Sequence, residues 1–274
     1  MFTRNDESYN ISKIEYQSPN SPLYQISQMI PNGSKVLDIG AGNGILGRMF
    51  KEKQVNIIID GIEPNLYASE LAKIYYRKFY TGYAQNYFDI ICHEDYDYIV
   101  LADVIEHIAD PYEFLKKLVS FISFKTKIII SIPNISFGAV RLAILNGNFD
   151  YSDSGLIEKT HLRFFTLKTI LTLLSKCKIN IEKIIYLQRS IFNSEIKIEI
   201  LKINPFILHN IKKDPLSYTY QFLLILTKKS CVSENILVGE VDKHLYLKYL
   251  IKRHRNIYLF SSLLRILQRI KSIK

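Results

Sequence analysis

Val36-Leu37-Asp38-Ile39-Gly40-Ala41-Gly42-Asn43-Gly44-Ile45-Leu46-Gly47 is the stretch on which the fold turns. Apolar Val36, Leu37 and Ile39 read as a short buried strand, and Gly40, Gly42 and Gly44 then crowd together before a helical run. Glycine serves where a backbone turns sharply or approaches a ligand closely, because a Cβ would collide there. A strand that ends in such a turn and feeds a helix presents open backbone N–H groups at its mouth. The pattern predicts a nucleotide-type cofactor site. Gly42-Asn43-Gly44-Ile45-Leu46-Gly47 also satisfies G-x-G-x-x-G, a weak signal taken alone. Asp38 separates the candidate cofactors. A carboxylate two residues before the first glycine repels a pyrophosphate but suits a cationic cofactor without phosphate.

Downstream, the chain alternates strand and helix signals. Ile45–Lys53 reads as the first crossover helix. Val55–Ile62 is nearly continuous in apolar residues and reads as a second buried parallel strand. Pro64 and Asn65 open a helix expected to reach about Arg77, with Asn65 as N-cap. Glu63 closes the second strand 19 residues past Gly44. An acid in that place hydrogen-bonds ribose hydroxyls in Rossmann-like sites, whether the cofactor is a dinucleotide or not. The third strand is either Phe79–Gly82 or Tyr87–Ile91, and Asp89, Gln85 and Asn86 compete for an adenine-contacting role.

Tyr98–Ala102 reads as the fourth strand, with Asp103, Glu106 and His107 just past its carboxyl end, where open α/β sheets bind ligands. Asp110-Pro111-Tyr112-Glu113 starts a helix, with Asp as N-cap and Pro at the first position. Lys127–Ile132 is the fifth strand, Thr166 caps a helix reaching about Lys176, Ile179–Leu187 is the sixth strand and Tyr218–Leu226 the last. Residues 135–165 leave this alternation and carry an apolar run, Phe137–Leu145, then Thr160-His161-Leu162-Arg163-Phe164-Phe165-Thr166.

Three runs, Val36–Gly44, Asp103-Val104-Ile105-Glu106-His107 and Thr160–Thr166, resemble in order and spacing those of class I S-adenosylmethionine (SAM) methyltransferases. The likeness covers about residues 34 to 228 and is thinnest at 78–95 and 188–215. It implies an α/β fold with a doubly wound, seven-stranded Rossmann-like sheet whose last strand is antiparallel and lies beside strand five. It implies SAM as cofactor, held by Asp38, Gly40, Ala41, Gly42, Asn43, Gly44, Glu63 and Asp103. The 135–165 insertion resembles the substrate-covering segment of a bacterial group associated with glycan assembly and ubiquinone-type chemistry. An acceptor hydroxyl or amine on a sugar or glycan intermediate is expected on that ground.

Methyl transfer is a displacement at a sulfonium methyl, so the protein mainly orients the acceptor and excludes water. A hydroxyl acceptor benefits from a general base, and histidine suits that work near neutral pH. His161 and His107 are the candidate catalytic residues, each with a structural role in a loop as the competing reading. Arg163 could clamp an acidic group of the acceptor or pair with a loop acid. Some related quinone-type O-methyltransferases bind a metal near this segment, and Asp103, Glu106 and His107 offer suitable atoms. Nothing else in the sequence demands an ion, and no metal is expected. The competing functions are an NAD-dependent oxidoreductase and a non-catalytic SAM-binding or membrane-docking module.

Composition bounds the rest. The chain has 274 residues, 48% of them apolar, enough for one large domain with an appendage. Cys92, Cys177 and Cys231 lie far apart and match no metal-ligand spacing, which fits a reducing compartment. No apolar run approaches the ~20 residues that span a bilayer, and a cytoplasmic protein is expected. The formal net charge of +10 is unevenly placed: nine Lys/Arg and one acid fall in residues 242–274, leaving 27 and 25 in residues 1–241. Domain boundaries are therefore set at 1–229, with 1–20 a polar lead-in, and at 230–274. In the tail, Phe260, Leu263, Leu264, Leu267 and Ile270 repeat at helical spacing against Arg265, Gln268, Arg269, Lys271 and Lys274. A basic amphipathic helix of this kind predicts peripheral membrane contact or docking of a partner, with packing on the domain as the competing reading. Nucleic acid is not an expected partner, since the body shows no basic excess.

Overall fold

The computed structural model describes residues 18–199 and 203–228. In chain order the regular elements are α1 (Pro22–Met29), β1 (Lys35–Ile39), α2 (Ile45–Glu52), β2 (Ile58–Glu63), α3 (Leu66–Ala72), β3 (Phe79–Thr81), α4 (Phe88–Ile91) and β4 (Tyr98–Ala102). They continue with α5 (Pro111–Phe121), β5 (Lys127–Pro133), α6 (Gly138–Leu145), α7 (Leu167–Lys176), β6 (Ile179–Gln188), α8 (Pro205–Lys213) and β7 (Thr219–Lys228). The described strands form one seven-stranded sheet in the order β3-β2-β1-β4-β5-β7-β6. The first five are mutually parallel, and β7 runs antiparallel between β5 and β6, as expected.

Alternation along the buried strands gives the sheet two apolar faces. Val36, Ile59, Val100, Ile129 and Leu223 pack on one side with Ile26, Leu46, Phe50 and Ala72 from α1, α2 and α3. Leu37, Ile62, Ile99, Leu101 and Ile128 pack on the other with Phe114, Leu118, Ile170 and Leu174 from α5 and α7. Beyond the carboxyl end of β5 and the amino end of β7, the covering segment builds a core of its own from Phe137, Leu142, Leu156, Ile157, Ile191 and Ile211.

The strand order reverses between β1 and β4. The chain winds outward through β2 and β3, then returns to place β4 beside β1, with Asp38 in register with Val100. The crevice at the carboxyl ends of β1 and β4 is therefore the topological switch point, where such sheets take their ligands.

Several boundaries differ from the sequence reading for local reasons. The second strand begins at Ile58, because Val55 and Asn56 belong to a turn in which Asn56 is hydrogen-bonded to Asn32 and Gly33. The third strand is Phe79–Thr81, whereas Tyr87–Ile91 falls in helical turns. The helix capped by Asn65 stops at Ala72, followed by a 3₁₀ turn over Lys73–Tyr75, and does not reach Arg77. Arg77 instead turns back to Asp60 in the middle of β2, donating from Nε at 2.9 Å. The Asp60 side chain is fully buried and also accepts from Tyr96 Oη at 2.7 Å and from the Lys78 N–H at 3.1 Å.

Removing one member of a buried ion pair costs about 3–5 kcal/mol. Arg77 is itself part exposed and two other donors remain on Asp60, so Arg77→Ala is expected to destabilise the fold by about 2–3 kcal/mol in urea denaturation. A loss below about 0.5 kcal/mol would show that Asp60 is satisfied without it.

No helix among the described residues is long and apolar enough to cross a membrane. The basic tail read at 230–274 lies outside the described residues, as does the lead-in before residue 18.

Candidate functional site

The glycine loop is held in left-handed backbone. Gly40, Gly42 and Gly44 have φ of +75°, +55° and +82°. At Gly44, which begins α2, a Cβ would lie 2.8 Å from Ala72 Cα; at Gly40 it would lie 2.5 Å from Val104 Cγ2. The loop therefore packs directly on α3 and on the segment after β4, and side chains there would push it off both. The N–H groups of Gly40 and Ala41 are taken by Ile62 O, at 2.8 and 3.0 Å.

Two carboxylates flank this loop. Asp38 lies near the end of β1, 3% exposed, and accepts a hydrogen bond from Tyr76 Oη at 2.7 Å. Burial pushes its carboxyl up to about 7, against the Tyr76 hydroxyl and with the Glu63 charge adding to the rise. Glu63, at the end of β2 and 5% exposed, accepts from Gly42 N with one oxygen and from Asn65 N with the other, both at 2.9 Å. The acid expected on the ribose thus sits at the rim of the glycine loop and braces it. Asn43 lies within the same loop, half-buried.

Asp103 follows β4 with φ +54°, a strained value for a residue with a side chain. Its N–H donates to Ser131 Oγ at 3.0 Å, and its Oδ1 accepts from Ser131 Oγ at 2.7 Å and from Gln221 Nε2 at 2.8 Å. Burial raises its pKa, with Ser131 and Gln221 opposing. The strain is held by β5 and β7 together, and it places Asp103 against the switch point.

Of the residues singled out in the sequence, the structure brings His107 and His161 together although 54 positions separate them. Their rings meet edge to face with centroids 4.8 Å apart. His107 Nδ1 is 3.1 Å from Thr160 O, and His161 Nδ1 is 3.2 Å from Leu156 O. A carbonyl can only accept, so in both of these bonds Nδ1 is the donor. His161 is buried at 8% exposure, with Nε2 4.0 Å from Glu158 Oε2. Glu106 is 1% exposed, and its backbone carbonyl accepts the N–H groups of Leu162 and Arg163 at 2.8 and 3.0 Å. Phe164, Phe149 and Tyr151 continue outward from His161 as an aromatic rim, with Phe149 and Tyr151 exposed.

Arg163 is exposed, and its guanidinium donates to the carbonyls of Leu162, at 2.8 Å, and Ala109. It ties the covering segment to the loop before α5 instead of pairing with a loop acid. Asn134, fully buried at the end of β5, anchors the start of the same segment through Thr219 O at 2.8 Å and Leu216 O at 3.2 Å.

Three supporting residues were missed from the sequence. Gln221 is a lone amide in the apolar run of β7, a signal that could have been read. Ser131 sits between isoleucines in β5 and gave the same kind of hint. Tyr76 gave none, since only the folded chain brings its hydroxyl under Asp38.

The fold is similar to that of solved SAM-dependent methyltransferases. A SAM-dependent methyltransferase from Archaeoglobus fulgidus is 18% identical with a TM-score of 0.53, over 78% of this chain and 98% of that one. The plantazolicin methyltransferase BpumL, solved with a triazolic desmethylPZN analogue and SAH, is 18% identical with a TM-score of 0.51, over 82% and 89%. A SAM-dependent methyltransferase from Thermotoga maritima, described as a possible histamine N-methyltransferase, is 17% identical with a TM-score of 0.50, over 81% and 92%. At these identities the likeness is one of fold. No curated protein matches the chain significantly. The family model described as methionine biosynthesis protein MetW matches residues 21–204, well over half of the chain, and the protein belongs to that family.

Proposed function

We propose that the protein is a SAM-dependent methyltransferase whose cofactor lies in the crevice between the glycine loop and Asp103. One observation carries the reading: two buried carboxylates, Asp38 and Glu63, flank a loop of left-handed glycines at the switch point, close enough for each to feel the other's charge. That environment opposes a pyrophosphate and so disfavours NAD. It favours a ligand that brings its own cations, as the sulfonium and ammonium groups of SAM do. Glu63 would exchange its loop N–H partners for ribose hydroxyls, and Asp38, Gly40, Ala41, Gly42, Asn43, Gly44 and Asp103 would line the rest of the cofactor site. Solved neighbours of the same fold bear the names of SAM-dependent methyltransferases, and one was crystallised with SAH.

On the acceptor side, His107 and His161 lie together beneath the covering segment and act on the methyl acceptor through Nε2, directly or through a bound ion. The acceptor is a small molecule bearing a hydroxyl or amine. A sugar or glycan intermediate as its finer identity rests on the resemblance of 135–166, while the family is described by methionine biosynthesis. The methyltransferase domain spans 1–229, and the basic tail at 230–274 is proposed as an appendage for peripheral contact with an anionic membrane from the cytoplasmic side.

SAM binding is expected to be proton-linked through Asp38. Without ligand the carboxyl titrates near 7. A bound cation favours the charged form, so below that pH binding must displace the proton. Affinity for SAM is expected to rise as pH goes from 5 to 7, by up to about tenfold per unit, and the Asp38-linked rise should end above 7. For folding alone the sign is opposite. A carboxyl raised from 3.8 stabilises the fold least where it is charged, so its contribution is lost between about pH 4 and 7. A titration of SAM that is flat from pH 5 to 7, or equally steep in Asp38→Asn, would remove Asp38 from the cofactor site.

A further inference from the structure

We propose that Glu106, His107 and His161 hold one divalent transition-metal ion, and that this ion clasps the covering segment onto the carboxyl edge of the sheet. A carboxylate oxygen of Glu106 and one ring nitrogen from each histidine lie within 4.8 Å of one another. Donors about 2.1 Å from a tetrahedral ion lie roughly 3.4 Å apart, so side-chain shifts on the order of 1 Å close the set.

The ring orientations argue for metal ligation. Both Nδ1 atoms are committed to backbone carbonyls, those of Thr160 and Leu156. That is the outer arrangement by which metal-binding histidines fix their tautomer and present Nε2 to the ion. Leu156 is itself pinned, since its N–H donates to Glu195 Oε1 at 2.9 Å, and the same oxygen accepts from Tyr220 Oη at 2.8 Å. The position of His161 is therefore determined from β7 outward.

Charge argues the same way. Glu106 is buried, Asp103 precedes it on the same turn, and Glu158 Oε2 lies 4.0 Å from His161 Nε2. Asp103 feels the charges of both His161 and Glu158. A dication held by these donors would be attracted by the carboxyl groups of Glu106, Glu158 and Asp103 gathered around it. Two nitrogens and one oxygen suit Zn²⁺, Mn²⁺ or Co²⁺ better than Ca²⁺ or Mg²⁺. With three protein ligands, positions remain for water, for Glu158 or for an oxygen of the acceptor.

Glu106 and His107 belong to the turn after β4, and His161 to the covering segment. Ligation by both therefore adds a bond between two parts of the chain already joined by backbone hydrogen bonds, by the His107 contacts with Thr160 and His161 and by the Arg163 staple. The placement rests on the methyl-transfer reading only in making this the acceptor side. An imidazole that ligates an ion cannot also accept a proton, so the two histidines would serve as ligands and not as general bases.

The test uses the full-length protein stripped with a chelator and assayed without SAM, so that failure to bind SAM leaves it intact. Co²⁺ is titrated by its visible absorption and Zn²⁺ by competition and by metal analysis after gel filtration. One equivalent is expected, with nitrogen-ligand d–d bands, and Glu106→Gln and His161→Gln are expected to weaken it at least 100-fold. His209→Gln should bind like the parent chain. Circular dichroism and melting of each variant separate lost ligation from lost folding. Trypsin cleavage after Lys159 and Arg163 should slow at least tenfold when Zn²⁺ is added to the parent chain, and not in Glu106→Gln. Absence of stoichiometric binding, or undiminished binding in folded Glu106→Gln and His161→Gln, would overturn the site. Unchanged trypsin cleavage of the loaded protein would overturn the clasp.

Discussion

His161→Ala is expected to leave SAM affinity within about twofold of the parent protein while lowering methyl transfer by about 100-fold or more. The residue is far in sequence from the glycine loop, and its ring is held by Leu156 O and meets His107 edge to face, so the loss falls on the acceptor side. The readout is release of SAH in the presence of a small-molecule fraction that supports turnover by the parent chain. The same loss is expected whether the imidazole acts directly or through an ion, because both routes need Nε2. His161→Gln distinguishes loss of chemistry from loss of the loop. An amide can keep the hydrogen bond to the Leu156 carbonyl, so the covering segment stays in place while turnover remains low. Unchanged turnover in His161→Ala would show that the histidine serves the loop alone. Loss of SAM binding along with turnover would show that the covering segment supports the whole site.

How much of this could be read from the chain follows from the range of the interactions involved. β1, β2, β4 and β5 are runs of Val, Leu and Ile covered on both faces, and such runs stand out without knowledge of their partners. The caps were legible for the same reason. Asn65, Asp110 and Thr166 each accept from a backbone N–H three residues on, a contact wholly local in sequence. β3 was not legible, since three half-exposed residues carry no period and owe their pairing to Gly61–Glu63.

Site residues divide along the same line. The glycine loop, Glu63 and Asp103 could be placed because a strand end positions whatever follows it. The meeting of His107 with His161 depends on the covering segment folding back through Asn134, Glu195 and Arg163, none of which has a local signature. For that reason the cluster Asp103, Glu106 and His107, adjacent in sequence, looked like the only candidate ligand set. The geometry instead groups Glu106, His107 and His161, while Asp103 is occupied by Ser131 and Gln221.

The second large effect concerns Glu63. Its carboxylate braces the loop through Gly42 and Asn65 in the unliganded chain and is expected to carry the ribose hydroxyls when SAM is bound. Charge-assisted hydrogen bonds of this kind contribute about 1–3 kcal/mol, so Glu63→Ala is expected to weaken SAM binding by roughly 5- to 150-fold. Because the residue also holds Gly42 N, Glu63→Gln is the stricter probe: its amide oxygen can keep that bond, so the loop is maintained with the charge removed. A Glu63→Gln protein that binds SAM as tightly as the parent would take the carboxylate out of the cofactor contact.

The central claim is that this crevice is built for a cationic cofactor without phosphate, and one calorimetric comparison meets it directly. Full-length protein is titrated at pH 7.5 with SAM, with SAH and with NAD in the same buffer. The account predicts saturable one-to-one binding of SAM and SAH, at least 100-fold tighter than any binding of NAD, and weakened by Glu63→Ala. Tighter binding of NAD than of SAM would contradict it.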